Sequence, residues 1–228
     1  MHIVTLSFDD GFERSSIRTA DIFERHGLVA ELNVIAAGHQ GKPDEKWHRK
    51  WHKGDFDLWN ELKARGHHVM PHGLEHVNKA EVPLAEAKRL IEACLDVFHA
   101  ELAGFEASEA SFAFPYNRST PDLETWLLAR VRAFRTGGDP VMPLPSPNQE
   151  RVTCTSFGPG RCDDHLSMTT DSFLAGGPGW LCYNLHGLDD EGWGPVGSDT
   201  LDRTLERLVA HDARVLPITA ALDQAVAT

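Results

Sequence analysis

His2-Ile3-Val4-Thr5-Leu6-Ser7-Phe8-Asp9-Asp10-Gly11 opens the chain as a largely apolar run that ends in two adjacent carboxylates and a glycine. Residues 2–8 read as a buried strand, because a short apolar run bounded by a turn residue is what a strand covered on both faces requires. The next stretch changes period: residues 13–26 carry Ile17, Ala20, Ile22 and Phe23 at helical spacing, and Gly27 stops that helix. Residues 29–36 then return as a second apolar strand. Strand, helix and strand in this order form a βαβ unit, whose two strands are parallel.

The alternation continues outward from that unit. Residues 56–65 read as a helix ended by Gly66, and 69–71 as part of a third strand. Residues 83–102 form the longest helix, with Leu90, Ile91, Cys94, Leu95 and Phe98 on one face. Residues 111–114, 131–135 and 180–185 read as later strands, 121–129 and 199–211 as helices, and 214–216 as a short closing strand. The chain has 228 residues, with no internal repeat and no Ser/Gly linker, so 1–228 is expected to be one domain. An α/β fold of this length, slightly short of the ~250 residues of a full (β/α)₈ barrel, is expected to be an irregular (β/α) barrel with about seven or eight parallel strands.

Composition removes several classes of function. With 22 basic and 34 acidic residues the formal charge is −12, and no basic stripe with interleaved aromatics offsets it, so nucleic acid is not an expected partner. No apolar run approaches the roughly 20 residues that span a bilayer, so no membrane association is expected. The N-terminus enters a strand without the regions of a secretory signal, which points to a cytoplasmic location. The four cysteines include no Cys-x-x-Cys pair and read as free thiols. Cys94 and Cys182 fall at core positions, and Cys154 and Cys162 could approach across Gly158-Pro159-Gly160.

In a barrel, chemistry sits where strands end on the carboxyl side. Asp9 and Asp10 stand at the first such end, with helix capping as the alternative reading. The third strand runs into Pro71-His72-Gly73-Leu74-Glu75-His76, whose histidines are four apart and share a face if the segment is helical. Two imidazoles joined to a strand-end aspartate suit a divalent metal, because zinc accepts imidazole nitrogen and carboxylate oxygen. A second His-x-x-x-His, His48 and His52, lies among Lys46, Arg49, Lys50 and Lys53, whose charges oppose a cation. Its Trp47 and Trp51 read as loop anchors, or as rings that stack on a sugar. His67 and His68 read as packing residues with one ring turned outward. A further strand delivers His186 to its end in Leu185-His186-Gly187, and an imidazole placed singly suits a general acid or base.

Together these residues resemble the polysaccharide deacetylase family, also called carbohydrate esterase family 4 or the NodB-homology domain. Ser7-Phe8-Asp9-Asp10-Gly11 is similar to its first motif, residues 66–76 ending in His72 and His76 to its second, and Leu185-His186 to its last. The resemblance implies that Asp10, His72 and His76 hold one divalent ion, zinc first, with cobalt or another divalent ion as substitutes. It implies Asp9 as catalytic base, His186 as catalytic acid and the backbone amide of Tyr116 as a donor to the oxyanion. Trp193, just past His186, either walls an acetyl pocket or anchors its loop. The implied reaction is removal of acetyl groups from N-acetylated sugars, with an acetylated carbohydrate as partner. Alternatives are an O-acetyl sugar esterase, a hydrolase of small cyclic amides, and a sugar-binding protein without turnover.

The chain departs from the family pattern in three places. The third motif, Arg-x-Pro-Tyr, is here Ala113-Phe114-Pro115-Tyr116, without the arginine that steadies the base aspartate. The fourth, an Asp-Trp-like pair, has only Asp139, Asp163 and Asp164 as candidates. Gly73 replaces the hydroxyl residue of the second motif.

Overall fold

The computed structural model describes residues 1–40 and 51–226. Numbered in chain order, its strands are β1 (His2–Asp10), β2 (Glu31–Val34), β3 (His68–Pro71), β4 (Ser111–Ala113), β5 (Ala133–Gly137), β6 (Val141–Met142), β7 (Arg151–Ser156), β8 (Gly179–Leu185) and β9 (Arg214–Val215). Its helices are α1 (Glu13–Arg25), α2 (Phe56–Ala64), α3 (Leu84–Glu101), α4 (Pro121–Leu128), α5 (Cys162–Leu174), α6 (Ser198–Ala210) and α7 (Ile218–Val226).

Seven strands in the order β3-β2-β1-β8-β7-β5-β4, all paired in parallel, curl into a nearly closed barrel surrounded by helices. The seam lies between β3 and β4, where His72 Nδ1 donates to the Ala113 carbonyl at 2.9 Å. The two central strands lean on different neighbours at their two ends. β1 pairs with β2 over Ser7 to Asp10 but with β9 over Ile3 and Val4. β8 pairs with β7 through Tyr183 and Asn184 but with the antiparallel β6 through Trp180 and Leu181. The carboxyl ends of β1, β2, β7 and β8 therefore stand together at one mouth.

Residues 3–10 of β1 are all buried, as its apolar run requires. Val4, Leu6 and Phe8 join one core cluster with Ala20, Phe23, Leu201 and Leu205 of α1 and α6. The alternate residues Ser7 and Asp9 instead meet Asn33 and Arg135, which makes the barrel interior polar where it approaches the mouth. On α1, Ile17 is 36% exposed, and the buried face is completed by Ser15, Ser16 and Thr19. Its place on the buried face is therefore corrected: the face that α1 buries runs through residues 15, 16, 19, 20, 22 and 23, and Ile17 stands at its exposed side. On α3 the buried face is Leu90, Ile91, Cys94, Leu95 and Phe98, as its spacing predicts.

The cysteines are free and buried. Cys154 and Cys162 do not pair: Cys154 Sγ donates to Asn117 Oδ1 at 3.3 Å and Cys162 Sγ to the Gly158 carbonyl at 3.0 Å. His67 is buried, with Nδ1 accepting from Ala30 N at 3.1 Å, and the half-buried His68 meets Thr219 Oγ1 at 3.1 Å. Among the described residues no helix is long and apolar enough to cross a membrane.

Candidate active site

The end of β1 bends sharply at the mouth. Asp10 has φ 77 and Gly11 φ 71, a left-handed pair that aspartate tolerates better than most residues and glycine adopts freely. A Cβ on Gly11 would stand 3.0 Å from the Trp59 ring, so the bend also lets α2 pack closely. Neither aspartate caps α1, whose N-cap is Phe12 without a side-chain bond, so the capping alternative is set aside.

Asp10, His72 and His76 each bring a ligand atom within 4.8 Å of the others. His76 Nε2 lies 3.5 Å and His72 Nε2 3.8 Å from Asp10 Oδ1. Because His72 Nδ1 donates to Ala113, its Nε2 carries a lone pair toward the carboxylates. Burial presses the His72 pKa down to about 4 and lowers that of His76, which favours the neutral, metal-binding form of both rings. Asp10 Oδ1 is buried without a hydrogen-bond partner. Burial resists its ionisation, yet Lys53 and the surrounding histidines hold its pKa well below the ordinary range. A buried carboxylate oxygen without a hydrogen-bond partner beside two imidazole nitrogens fits a divalent ion, and one carboxylate with two imidazoles suits zinc.

The two histidines do not share a helix face, and that part of the sequence reading is corrected. His72 continues the line of β3 and His76 lies on the irregular loop after it. The loop is pinned to the end of β2, where Ala36 N and Ala37 N each donate at 2.9 Å to the carbonyls of Gly73 and Leu74. Gly73 has φ 95, and a Cβ there would stand 3.3 Å from Lys79 Nζ. Lys79 is almost fully buried, and its ammonium donates to the carbonyls of Val77 at 3.0 Å and Glu75 at 3.3 Å, on either side of His76. A lysine thus steadies the loop where the resembled motif carries a hydroxyl.

Asp9 lies beside this set, with Oδ2 3.6 Å from His72 Nε2. Arg135 Nη2 donates to Asp9 Oδ2 at 2.5 Å, and Asn33 Nδ2 to Asp9 Oδ1 at 3.1 Å. Burial works against its charge, but Arg135, assisted by the histidines, outweighs burial and holds its pKa below the ordinary range. His186 stands just past β8, near enough to Asp9 and Asp10 to favour their ionised forms. The Trp193 ring meets His186 edge-on at 5.0 Å, and the Tyr116 ring lies 4.4 Å from that of His76. Tyr116 and Asn117 both have positive φ, 59 and 51, in the turn after β4. The structure therefore brings Asp9, Asp10, His72, His76, His186, Tyr116 and Trp193 to one mouth.

Other candidates fall elsewhere. Asp163 accepts from Gly197 N, Asp164 pairs with Arg161, and Asp139 accepts from Val141 N, so none of the fourth-motif candidates reaches Asp9 or Asp10 by a direct bond. Trp47 and His48 lie outside the described residues. Trp51 is a loop anchor, edge-on to Phe12 at 5.8 Å and donating from Nε1 to the Asp190 carbonyl at 2.9 Å. Sequence reasoning missed Asn33, Lys53, Lys79 and Arg135. Lys53 Nζ donates to the Asp10 carbonyl at 3.0 Å while lying 4.2 Å over the Phe12 ring. The signal for Asn33 was present, since it is a polar residue between Leu32 and Val34 inside a strand.

No protein-family model and no curated protein matches the sequence. Solved structures do match in fold. A peptidoglycan deacetylase from Bacillus subtilis is 13% identical with a TM-score of 0.64, over 99% of this chain and 91% of that one. A family 4 acetyl xylan esterase from Clostridium thermocellum, in complex with a cobalt ion, is 15% identical with a TM-score of 0.62, over 97% and 91%. A family 4 pseudoenzyme from Bacillus anthracis is 14% identical with a TM-score of 0.62, over 97% of this chain and 66% of that one. The chain therefore has the polysaccharide deacetylase, or NodB-like, fold.

Proposed function

We propose that this protein is a metal-dependent hydrolase that removes acetyl groups from N-acetylated oligo- or polysaccharides. The observation that carries the reading is the convergence of Asp10 Oδ1, His72 Nε2 and His76 Nε2 beside a second, separately held carboxylate, Asp9. A divalent ion held by Asp10, His72 and His76 would lower the pKa of a coordinated water and polarise an acyl oxygen. Asp9, ionised and fixed by its own partners, takes the proton of the attacking water. The backbone N–H of Tyr116, in the turn beside His76, donates to the oxyanion. His186 gives its proton to the departing nitrogen, which as an unprotonated amide is a poor leaving group. Trp193, 38% exposed and edge-on to His186, walls the space that the acetyl methyl enters.

The relatives support acetylated carbohydrate as the substrate class, since their names include a peptidoglycan deacetylase and an acetyl xylan esterase. A pseudoenzyme shares the fold, so fold by itself does not carry turnover. What favours an enzyme over a sugar-binding protein is the presence of both the donor set and two further proton-transfer groups, for which binding has no use. The test is acetate release from N-acetylated chitooligosaccharides and acetylated xylan, before and after chelation and with zinc or cobalt returned. Chelator-sensitive release from the N-acetylated substrate is expected. Release unaffected by chelation, or none from any acetylated sugar with metal bound, would overturn the reading.

A further inference from the structure

The position that would carry the third-motif arginine is Ala113, the last residue of β4. In the parallel register Ala113 is paired with Arg135 of β5, so a guanidinium stem stands one strand further round the barrel at the same level. Arg135 is fully buried, and β8 and β7 separate its strand from β1 in the sheet order. Its side chain therefore reaches β1 through the barrel interior rather than along the sheet. There Nη2 donates to Asp9 Oδ2 at 2.5 Å and Nη1 to Ser7 Oγ at 2.9 Å. Ser7 Oγ also accepts from Asn33 Nδ2 at 2.6 Å, and Asn33 reaches the other Asp9 oxygen at 3.1 Å. Both carboxylate oxygens of Asp9 are thus held, and both holders are tied to one serine two residues back on the same strand.

We propose that Arg135 is the positioning residue for Asp9, supplying from β5 the guanidinium that is missing from β4. The proposal rests on the reading of Asp9 as the base. A planar, permanently charged fork can grip a carboxylate and a hydroxyl together, which fixes the orientation of Asp9 as well as its distance. The small side chain of Ala113 is consistent with this arrangement, because a second arginine at the same level would bring two buried cations to one carboxylate. Arg135 makes no hydrogen bond to Asp10, His72 or His76, so its removal should act on turnover chiefly through Asp9.

Kinetics on an N-acetylated oligosaccharide with metal content measured alongside decide this. Arg135→Met should lower kcat by about 10²-fold or more, the effect of misplacing a general base, with KM and bound metal within about twofold of the parent. In an Asp9→Asn background the same change should cost less than about threefold, because a residue that acts through Asp9 has nothing left to position. That double variant also removes the charge that Arg135→Met would strand, so the comparison survives if the single variant does not fold. An additional loss of tenfold or more in the Asp9→Asn background would overturn the proposal, as would a folded Arg135→Met with kcat within about threefold of the parent. If Asp9→Asn itself keeps full turnover, it is the reading of Asp9 as base that fails.

Discussion

Glu31 lies two residues before Asn33 on β2, 1% exposed, within the same buried polar layer as Arg135 and Asp9. Its Oε2 accepts from Ile218 N at 2.5 Å, at the first turn of α7. Burial raises its pKa from 4.5 to about 7, against the pull of the Ile218 hydrogen bond and the Arg135 charge. Between those two values the folded protein binds a proton that the unfolded chain has released. The contribution is therefore complete below about pH 4.5 and is lost as pH rises through about 7, and the shift is worth about 3 kcal/mol. Glu31→Gln keeps the volume and the acceptor for Ile218 but cannot ionise. Urea unfolding of parent and variant, at fixed ionic strength and metal concentration, should show the variant gaining on the parent by about 3 kcal/mol between pH 4.5 and 8. A difference constant to within about 0.5 kcal/mol over that range would mean that Glu31 ionises in the folded state at an ordinary pKa.

Further outcomes follow from the mouth. His186→Ala should reduce cleavage of an N-acetylated oligosaccharide far more than cleavage of an activated aryl acetate, whose leaving oxygen needs little protonation; equal losses with metal retained would withdraw the acid role. Gly187→Ala would place a Cβ 1.8 Å from the Glu191 carbonyl oxygen, so the loop carrying His186 and Trp193 must move. Turnover should fall by about 10²-fold with metal content unchanged, and activity within threefold of the parent would show that the loop yields without moving His186. Lys79→Met should weaken zinc binding by about 10- to 100-fold in a competition titration against a chromophoric chelator, as loss of outer support to a ligand does. Unchanged affinity would remove Lys79 from the support of His76.

The parts of the fold that were readable are those whose burial is one-sided in chemistry. β1 and β8 are apolar along most of their length, and the buried face of α3 keeps helical spacing through Leu90, Ile91, Cys94, Leu95 and Phe98. α5 escaped because only Cys162, Leu166, Thr170 and Phe173 of its residues are buried, two of them small or polar. β7 escaped because, in Arg151–Ser156, Val152 and Cys154 alone are buried and the rest are polar or exposed. α7, at the chain's end, packs Ile218, Ala221 and Leu222 against a separate small cluster, leaving little periodicity to read. In the site, Asp9, Asp10, His72, His76 and His186 were visible because each stands at a strand end in a quotable motif. Arg135 and Lys79 were not, because their roles depend on which strand is neighbour to which and on where a loop folds back. Neither is encoded by spacing along the chain.

The proposed chemistry depends on a metal centre held by Asp10, His72 and His76. Metal analysis of the purified protein beside a His72→Ala, His76→Ala variant decides this, with folding of both checked by circular dichroism. One divalent ion per chain in the parent, and a variant that folds but retains almost none, is the predicted result. Equal metal content in the two proteins would mean that these histidines hold no metal.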